Sequence, residues 1–597
     1  MAVVYGMPSA VMSKEISEKE SERELQQAND LGEDGLQSLQ NKLDGAMSKN
    51  EESIPNETLT SLPIPDVANV SSIPLFTAHL SPSSDSLDLD VVKESIRDVS
   101  TEDYEAIIER LRIDSTLTSV PFHADLTHID SAFVFAAVGI DTTSLTKEQR
   151  LYLPILQEIL FKLPATLEDG SKLSKEEFVN SLQDETVSYS SGIGLLGGSI
   201  SQMCYVSAQV ENDDNGLGLG KALKWIRRAL YLTNITTESV QSAVQRLVSD
   251  IPQSVRSGGA VLGTVASELK YDPEMANVLA CNFLRQKPFL SKIVEGMESE
   301  DGSILHGVVT ELEGIRKTLF QTTNMHAFVA ANLRGSNMID TLVASLSREG
   351  VENVNAVGRR IENVSLSAVV RPIGANVSGG EGAVCSLSAI ESGFLSISAP
   401  GLQPYDANRA SLLLAIEYLT TLEGPFWVKL RGAGLTYSYS ISDSTDSQLL
   451  TFSLYKCGDI PAAFGTASKI IAEFASGNEN VSIVGIENAK ASLAYQIISG
   501  RSSKLSAATG SFVRTFKGEK MDYDKYLLAC VAKVTSADIM AAIVTHLVPI
   551  FDPRSKLVVA CPTSKLDAVH DYFTKKGWSN LKRVPEEDLF TAFVSDV

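Results

Sequence analysis

Apolar residues fall along this chain in two arrangements, short unbroken runs and stripes at helical spacing, and the order of the two repeats. The run Ala132-Phe133-Val134-Phe135-Ala136-Ala137-Val138 predicts a buried strand by its apolar continuity. Leu145 to Leu163 predicts a helix, with Leu151, Leu153, Ile155, Leu156, Ile159 and Leu160 on a wide apolar face. A strand at Cys204–Val210 follows, then helices over Leu223–Leu232, Ser239–Asp250 and Ser303–Thr318, and a closing strand at Met325–Asn332. The second half restarts the same plan. Phe394–Ala399 predicts a strand, Ala407–Leu422 a helix, Leu449–Tyr455 a strand, and Pro461–Phe474, Ile486–Ile498 and Ser536–His546 helices. Lys556–Cys561 then reads as a strand and Leu566–Lys576 as a final helix. Laid side by side, FVFAAVGIDTTSLTKEQRLYLPILQEIL and FLSISAPGLQPYDANRASLLLAIEYL both run strand, turn, apolar helix. The expected fold is therefore α+β, two copies of one unit with helices on one face of a sheet. Phe133, Val134, Val138, Leu156, Phe394 and Leu414 are the expected core.

Upstream of these units the pattern changes. Ala2–Tyr5 reads as a strand closed by Gly6-Met7-Pro8-Ser9, with no partner in the polar segment that follows. Ser13–Asn50 is charged and helical, with one stripe of Leu36, Leu39, Leu43 and Met47, and Gly32 and Gly35 suggest two helices joined by a turn. Ile54-Pro55 and Leu62-Pro63-Ile64-Pro65 make a stiff exit. This segment is expected to be an exposed helical arm.

Composition narrows the function classes. The 597 residues are 44% hydrophobic and 21% charged, as in ordinary globular domains. The formal net charge of -23 argues against nucleic-acid binding, which needs a basic surface. Cys204, Cys281, Cys385, Cys457, Cys530 and Cys561 are scattered without metal-ligand spacing, which predicts reduced thiols. Among the longest apolar stretches is Phe133–Ile140, too short to span a membrane. The N-terminus has no basic leader, no apolar segment long enough for secretion and no Arg before Arg23, so cytoplasm is the expected location.

The candidate chemistry lies in Val428-Lys429-Leu430-Arg431-Gly432-Ala433-Gly434-Leu435-Thr436-Tyr437-Ser438-Tyr439-Ser440. It opens as a strand, breaks on two glycines and resumes as an alternating strand with Tyr437 and Tyr439 on one face. The bend sets a guanidinium near a phenol, so that an extended ligand would meet several donors at once. The same pattern also fits a glycine-broken β-hairpin carrying a surface Arg. None of the seven histidines has the spacing of a zinc-peptidase helix; His123 and His128, five apart in a Pro-flanked loop entering a strand, are the nearest pair, so no metal site is expected. The run Gly192-Ile193-Gly194-Leu195-Leu196-Gly197 matches a dinucleotide pattern by letter but precedes a strand instead of opening a helix. Gly216–Lys221 lacks the offset glycine and the Ser or Thr of a phosphate loop, and no Gly-x-Ser-x-Gly elbow occurs.

The Arg–glycine bend–Tyr element after a helix resembles the C-terminal half of the insulinase–pitrilysin zinc metallopeptidases, in the branch of the presequence proteases and their cytosolic relatives. The resemblance implies metallopeptidase-like domains of the LuxS and processing-peptidase type. Residues 1–12 would be the last strand of a missing upstream domain, 13–68 a helical hinge, and 69–338 and 339–597 two α+β domains. It implies that Arg431 and Tyr437, seconded by Tyr439, bind peptide substrate and support the transition state. It implies zinc and its His-x-x-Glu-His motif in an N-terminal half absent from this chain, with no cofactor bound here. A chain of this kind would be inactive alone and would look cut into at its start, which leaves a mitochondrial location open. The alternative is a non-catalytic structural or assembly subunit of a processing-peptidase-like complex. Retention of the Arg–Tyr pair favours the substrate-binding role.

Overall fold

The computed structural model describes residues 10–50, 75–82, 88–91, 101–117, 120–212, 218–297, 303–334, 338–347, 364–373 and 380–594, with isolated positions between 52 and 73 and at 361. The chain forms two compact units, 1–65 and 66–597. In the first unit, Ala10–Asn50 is helical and broken at Gly32, whose backbone (φ 61°, ψ -179°) leaves the helix. Leu36, Leu39, Leu43 and Met47 are exposed. The helical part of the arm is as the leucine spacing predicts; the strand expected at Ala2–Tyr5 lies outside the described residues.

The second unit holds two sheets. The first is built from β1 (Phe76–Leu80), β2 (Asp88–Val91), β3 (His123–His128) and β4 (Phe133–Asp141). After a small hairpin, β5 (Ala165–Thr166) and β6 (Lys172–Leu173), it continues with β7 (Ser188–Leu195), β8 (Ser199–Glu211) and β9 (Met325–Ala331). Its order is β2-β1-β3-β9-β4-β8-β7, antiparallel except for β3 beside β9. The second is built from β10 (Glu381–Leu387), β11 (Gly393–Pro400), β12 (Thr436–Ser444), β13 (Leu449–Cys457), β14 (Lys556–Pro562) and β15 (Asn580–Val584). Its order is β12-β13-β11-β14-β10-β15, with β10 parallel to both neighbours. Five strands correspond in order and connection: β3-β9-β4-β8-β7 in one sheet, β10-β14-β11-β13-β12 in the other. The repeat read from the two apolar segments is thus a repeat of topology.

Each sheet buries one face under its own helices. Val134, Val138, Val206 and Ala208 pack with Leu156 and Trp225 in the first, and Leu395, Ile397, Phe452 and Val559 pack with Leu414 and Phe464 in the second. The opposite faces are covered reciprocally. The helix Lys504–Phe516 of the second half lays Phe512 on Phe328 of β9 at a ring separation of 4.5 Å. The helix Gly258–Lys270 of the first half lies on β14 and β11. The tips of the two edge hairpins also meet, since the Ile200 amide donates to Asp446 Oδ2 at 2.9 Å.

Several expectations need correction. Phe133 is 39% exposed because it begins β4 opposite Glu211 at the rim of the sheet; the other five predicted core residues are buried. His123 and His128 do not stand in a loop but at the two ends of β3, where Ala124 and Leu126 alternate inward. The glycine run 192–197 belongs to edge strand β7 and its turn. Met325–Ala331 closes the unit in sequence yet lies in the interior of its sheet.

Candidate substrate-binding turn

The turn that carries Arg431 is made by helical spacing. The helix Arg409–Thr420 ends, Gly424 and Pro425 restart the chain, and Phe426 and Leu430, four apart, are both fully buried. Trp427–Gly432 therefore winds as one π-helical turn, not as the strand that Val428–Leu430 suggests. Gly434 (φ 70°) supplies the left-handed step that leads into β12. The Gly434 and Leu435 amides donate back to the Arg431 and Leu430 carbonyls, each at 2.9 Å. The Leu435 carbonyl accepts from the Gly458 amide (3.2 Å) and the Cys457 thiol (3.1 Å). The exit of the turn is thereby tied to the end of β13.

On this turn Arg431 and Tyr437 come together. The Arg431 guanidinium lies 4.3 Å from the Trp427 ring centre and 5.5 Å from that of Tyr437. Arg431 is exposed, and among the described residues no carboxylate lies within ion-pair distance of it. Lys429, two residues before it, pairs with Glu473 (Nζ at 3.1 Å) and Glu479 (3.6 Å). Tyr437 is 64% exposed, and its hydroxyl has no hydrogen-bond partner among the described residues. Tyr439 differs. Its ring packs on Phe426 at 5.7 Å and its hydroxyl donates to the Thr420 carbonyl at 3.3 Å. Burial raises the Tyr439 phenol above its ordinary pKa, against a smaller opposing effect of the Arg431 charge. At the far end of β12, Asp443 forms a buried ion pair with Arg409, which also donates to Tyr523 (2.8 Å). Burial pushes the Asp443 carboxyl up despite that partner. What results is an edge strand headed by a cation that, among the described residues, has no carboxylate partner.

No family model matches the chain. Three uncharacterized proteins are similar over nearly its whole length. One from Schizosaccharomyces pombe is 24% identical (96% of this chain, 54% of the relative), one from Saccharomyces cerevisiae 22% (98% and 56%), and one from Caenorhabditis elegans 23% (98% and 55%). The chain thus spans about half the length of the curated relatives it matches. Among solved structures, a peptidase M16 inactive domain from Pseudomonas fluorescens superposes with a TM-score of 0.54 at 12% identity, covering 74% of this chain and 96% of that one. The fold is that of a peptidase M16 inactive domain. A protease from Helicobacter pylori superposes as well (TM-score 0.54, 10% identity, 74% and 97% covered). So does a conserved protein from Enterococcus faecalis (0.52, 12%, 74% and 97%).

Within this M16 inactive-domain fold the histidines are drawn to a carboxylate. Nδ1 of His79 donates to Asp125 Oδ1 at 2.6 Å, and Nε2 of His326 stands 3.2 Å from Oδ2, out of line for a hydrogen bond. His123 stacks on His326 at 5.9 Å, and His128 Nδ1 accepts from the Leu333 amide. Burial alone would push the Asp125 carboxyl up; the two imidazoles outweigh it and hold Asp125 well below the carboxylate range. No group of three His, Cys, Asp or Glu among the described residues is arranged to hold a metal. Lys221, at the end of the second glycine run, lies in the helix Gly218–Arg227; Gly216 and Leu217 are outside the described residues. The residue that the sequence reading missed is Trp427. Its signal was the spacing of four to Arg431, which brings the two side chains together only on a helix.

Proposed function

We propose that this chain is the substrate-binding, non-zinc half of a peptide-degrading zinc metalloendopeptidase of the presequence-protease-like kind. It would be completed by an N-terminal half that bears His-x-x-Glu-His. The observation that carries the reading is Arg431, an exposed guanidinium with no acidic partner among the described residues, beside the exposed Tyr437 at the head of an edge strand. Arg431 holds a substrate carbonyl and stabilises negative charge as it develops there, and Tyr437 donates a second hydrogen bond. Tyr439, its hydroxyl spent on Thr420, supports the turn from beneath. Zinc and the hydrolytic water belong to the other half. Residues 13–68 act as the hinge, and 69–338 and 339–597 as the two domains of this half. The working setting is the cytoplasm and the substrates are extended peptides.

The test is reconstitution. The purified chain is expected to leave peptides intact, and to support cleavage once joined to an N-terminal half from a full-length relative. A reconstituted enzyme whose turnover ignores both Arg431→Ala and Tyr437→Phe overturns the reading and favours an assembly subunit.

A further inference from the structure

The surroundings of Arg431 divide its contacts by geometry. A guanidinium has two π faces and a rim of N–H donors lying in its plane. A carboxylate partner would take up N–H donors of the rim, whereas an aromatic ring attracts the cation through its π system. Among the described residues the partners of the Arg431 guanidinium are two rings, Trp427 and Tyr437, while Glu473 and Glu479 pair with Lys429. Glu473 also has Lys469 at 3.7 Å. The tether between Trp427 and Arg431 is short and stiff, because one π turn anchored by buried Phe426 and Leu430 carries both.

We propose that Trp427 is a positioning residue that holds the Arg431 guanidinium by cation–π attraction and so leaves its N–H donors for substrate. The inference rests on the substrate-binding reading of Arg431 and adds how the guanidinium is kept available. Attraction to a ring face restrains the cation and consumes no N–H donor. The device therefore selects ligands that accept hydrogen bonds in the guanidinium plane, such as peptide carbonyls and carboxylates.

The experiment uses the full chain and a dye-labelled, N-acetylated, C-amidated unstructured peptide, with affinity read by anisotropy. Thermal unfolding checks that each variant folds. Arg431→Ala is the reference and is expected to weaken binding most. Trp427→Leu should weaken it about threefold to fivefold, the scale of one exposed cation–π contact, and Trp427→Phe should recover most of the loss. In Trp427→Leu the Arg431 Nε–H resonance should also lose the ring-current shift that Trp427 imposes. If Arg431→Ala weakens binding while Trp427→Leu changes neither resonance nor affinity, the positioning role is overturned and the substrate-binding reading stands. If Arg431→Ala itself leaves affinity unchanged, that reading falls and the inference with it.

Discussion

β7 and β12 hold the same place in the two sheets, at the outer edge beside β8 and β13, and they serve differently. Both carry a tyrosine at their second position, Tyr189 and Tyr437. Tyr189 is half-buried against Phe161 at 5.1 Å, whereas Tyr437 stands out beside Arg431. β7 loses register between Ile193 and Leu195, at Gly194, and turns tightly into β8. β12 keeps one register with β13 from Thr436 to Ser444. The segments that feed them differ most: the helix Lys175–Glu185 before β7, the single turn Trp427–Gly432 before β12. Edge strands are usually blunted by bulges, charges or short length. Of this pair, one is blunted and the other is left long, open and armed with a cation. The lesson is that a shared scaffold acquires chemistry through the few residues leading into its free edge.

The comparison can be broken most forcefully at Arg431. In the reconstituted enzyme, Arg431→Ala is expected to raise the barrier to turnover by about 3–4 kcal/mol, read as kcat, while Tyr189→Phe leaves kcat unchanged. Equal responses at the two edges would end the distinction. Next come the glycines. A Cβ at Gly194 would lie 2.7 Å from the Gly198 backbone in a left-handed conformation (φ 91°), so Gly194→Ala should cost about 2–3 kcal/mol in urea denaturation. Gly434 shares the conformation but has open space around it, and Gly434→Ala should cost only about 1 kcal/mol. The tyrosines should cross over. Tyr189→Ala should destabilise the fold by about 2 kcal/mol without touching peptide binding. Tyr437→Ala should weaken binding yet stay within about 0.5 kcal/mol in stability.

The smallest effect sharpens the comparison within β12 itself. Tyr439→Phe removes one hydrogen bond and should cost about 1 kcal/mol. Because the folded phenol titrates above its ordinary value, its protonated form contributes stability in full below about pH 10. That contribution is lost as the pH rises through the folded value. Stability measured on the alkaline side should therefore fall more steeply in the parent than in Tyr439→Phe, and parallel curves would show that the phenol is not held as described.

Much of the architecture was written in local pattern. Continuous apolar runs marked β4, β9 and β14, and helical stripes marked the arm and most of the covering helices, because period and burial are properties of neighbouring residues. The polar alternation of His123–His128 was legible too, once Ala124 and Leu126 are read as its inward face. The candidate site was half legible. Arg431, Tyr437 and the glycines between them stood out as residue types, but Val428–Leu430 looked extended, since a run so short fits either period. What decides for a helical turn is the joint burial of Phe426 and Leu430 in a core assembled from β11, β13 and distant helices. That choice brings Trp427 under Arg431, and it turns Tyr439 toward Thr420 while Tyr437 stays free. By itself, then, the sequence determined the two α+β repeats, the helical arm and the residues able to do chemistry, because spacing along the chain carries that information. Only the tertiary structure decided which edge strand is distorted, which helix crosses to cover the other half, and that Arg431 meets Trp427 with no carboxylate partner among the described residues, because those outcomes depend on how segments distant in the chain pack together.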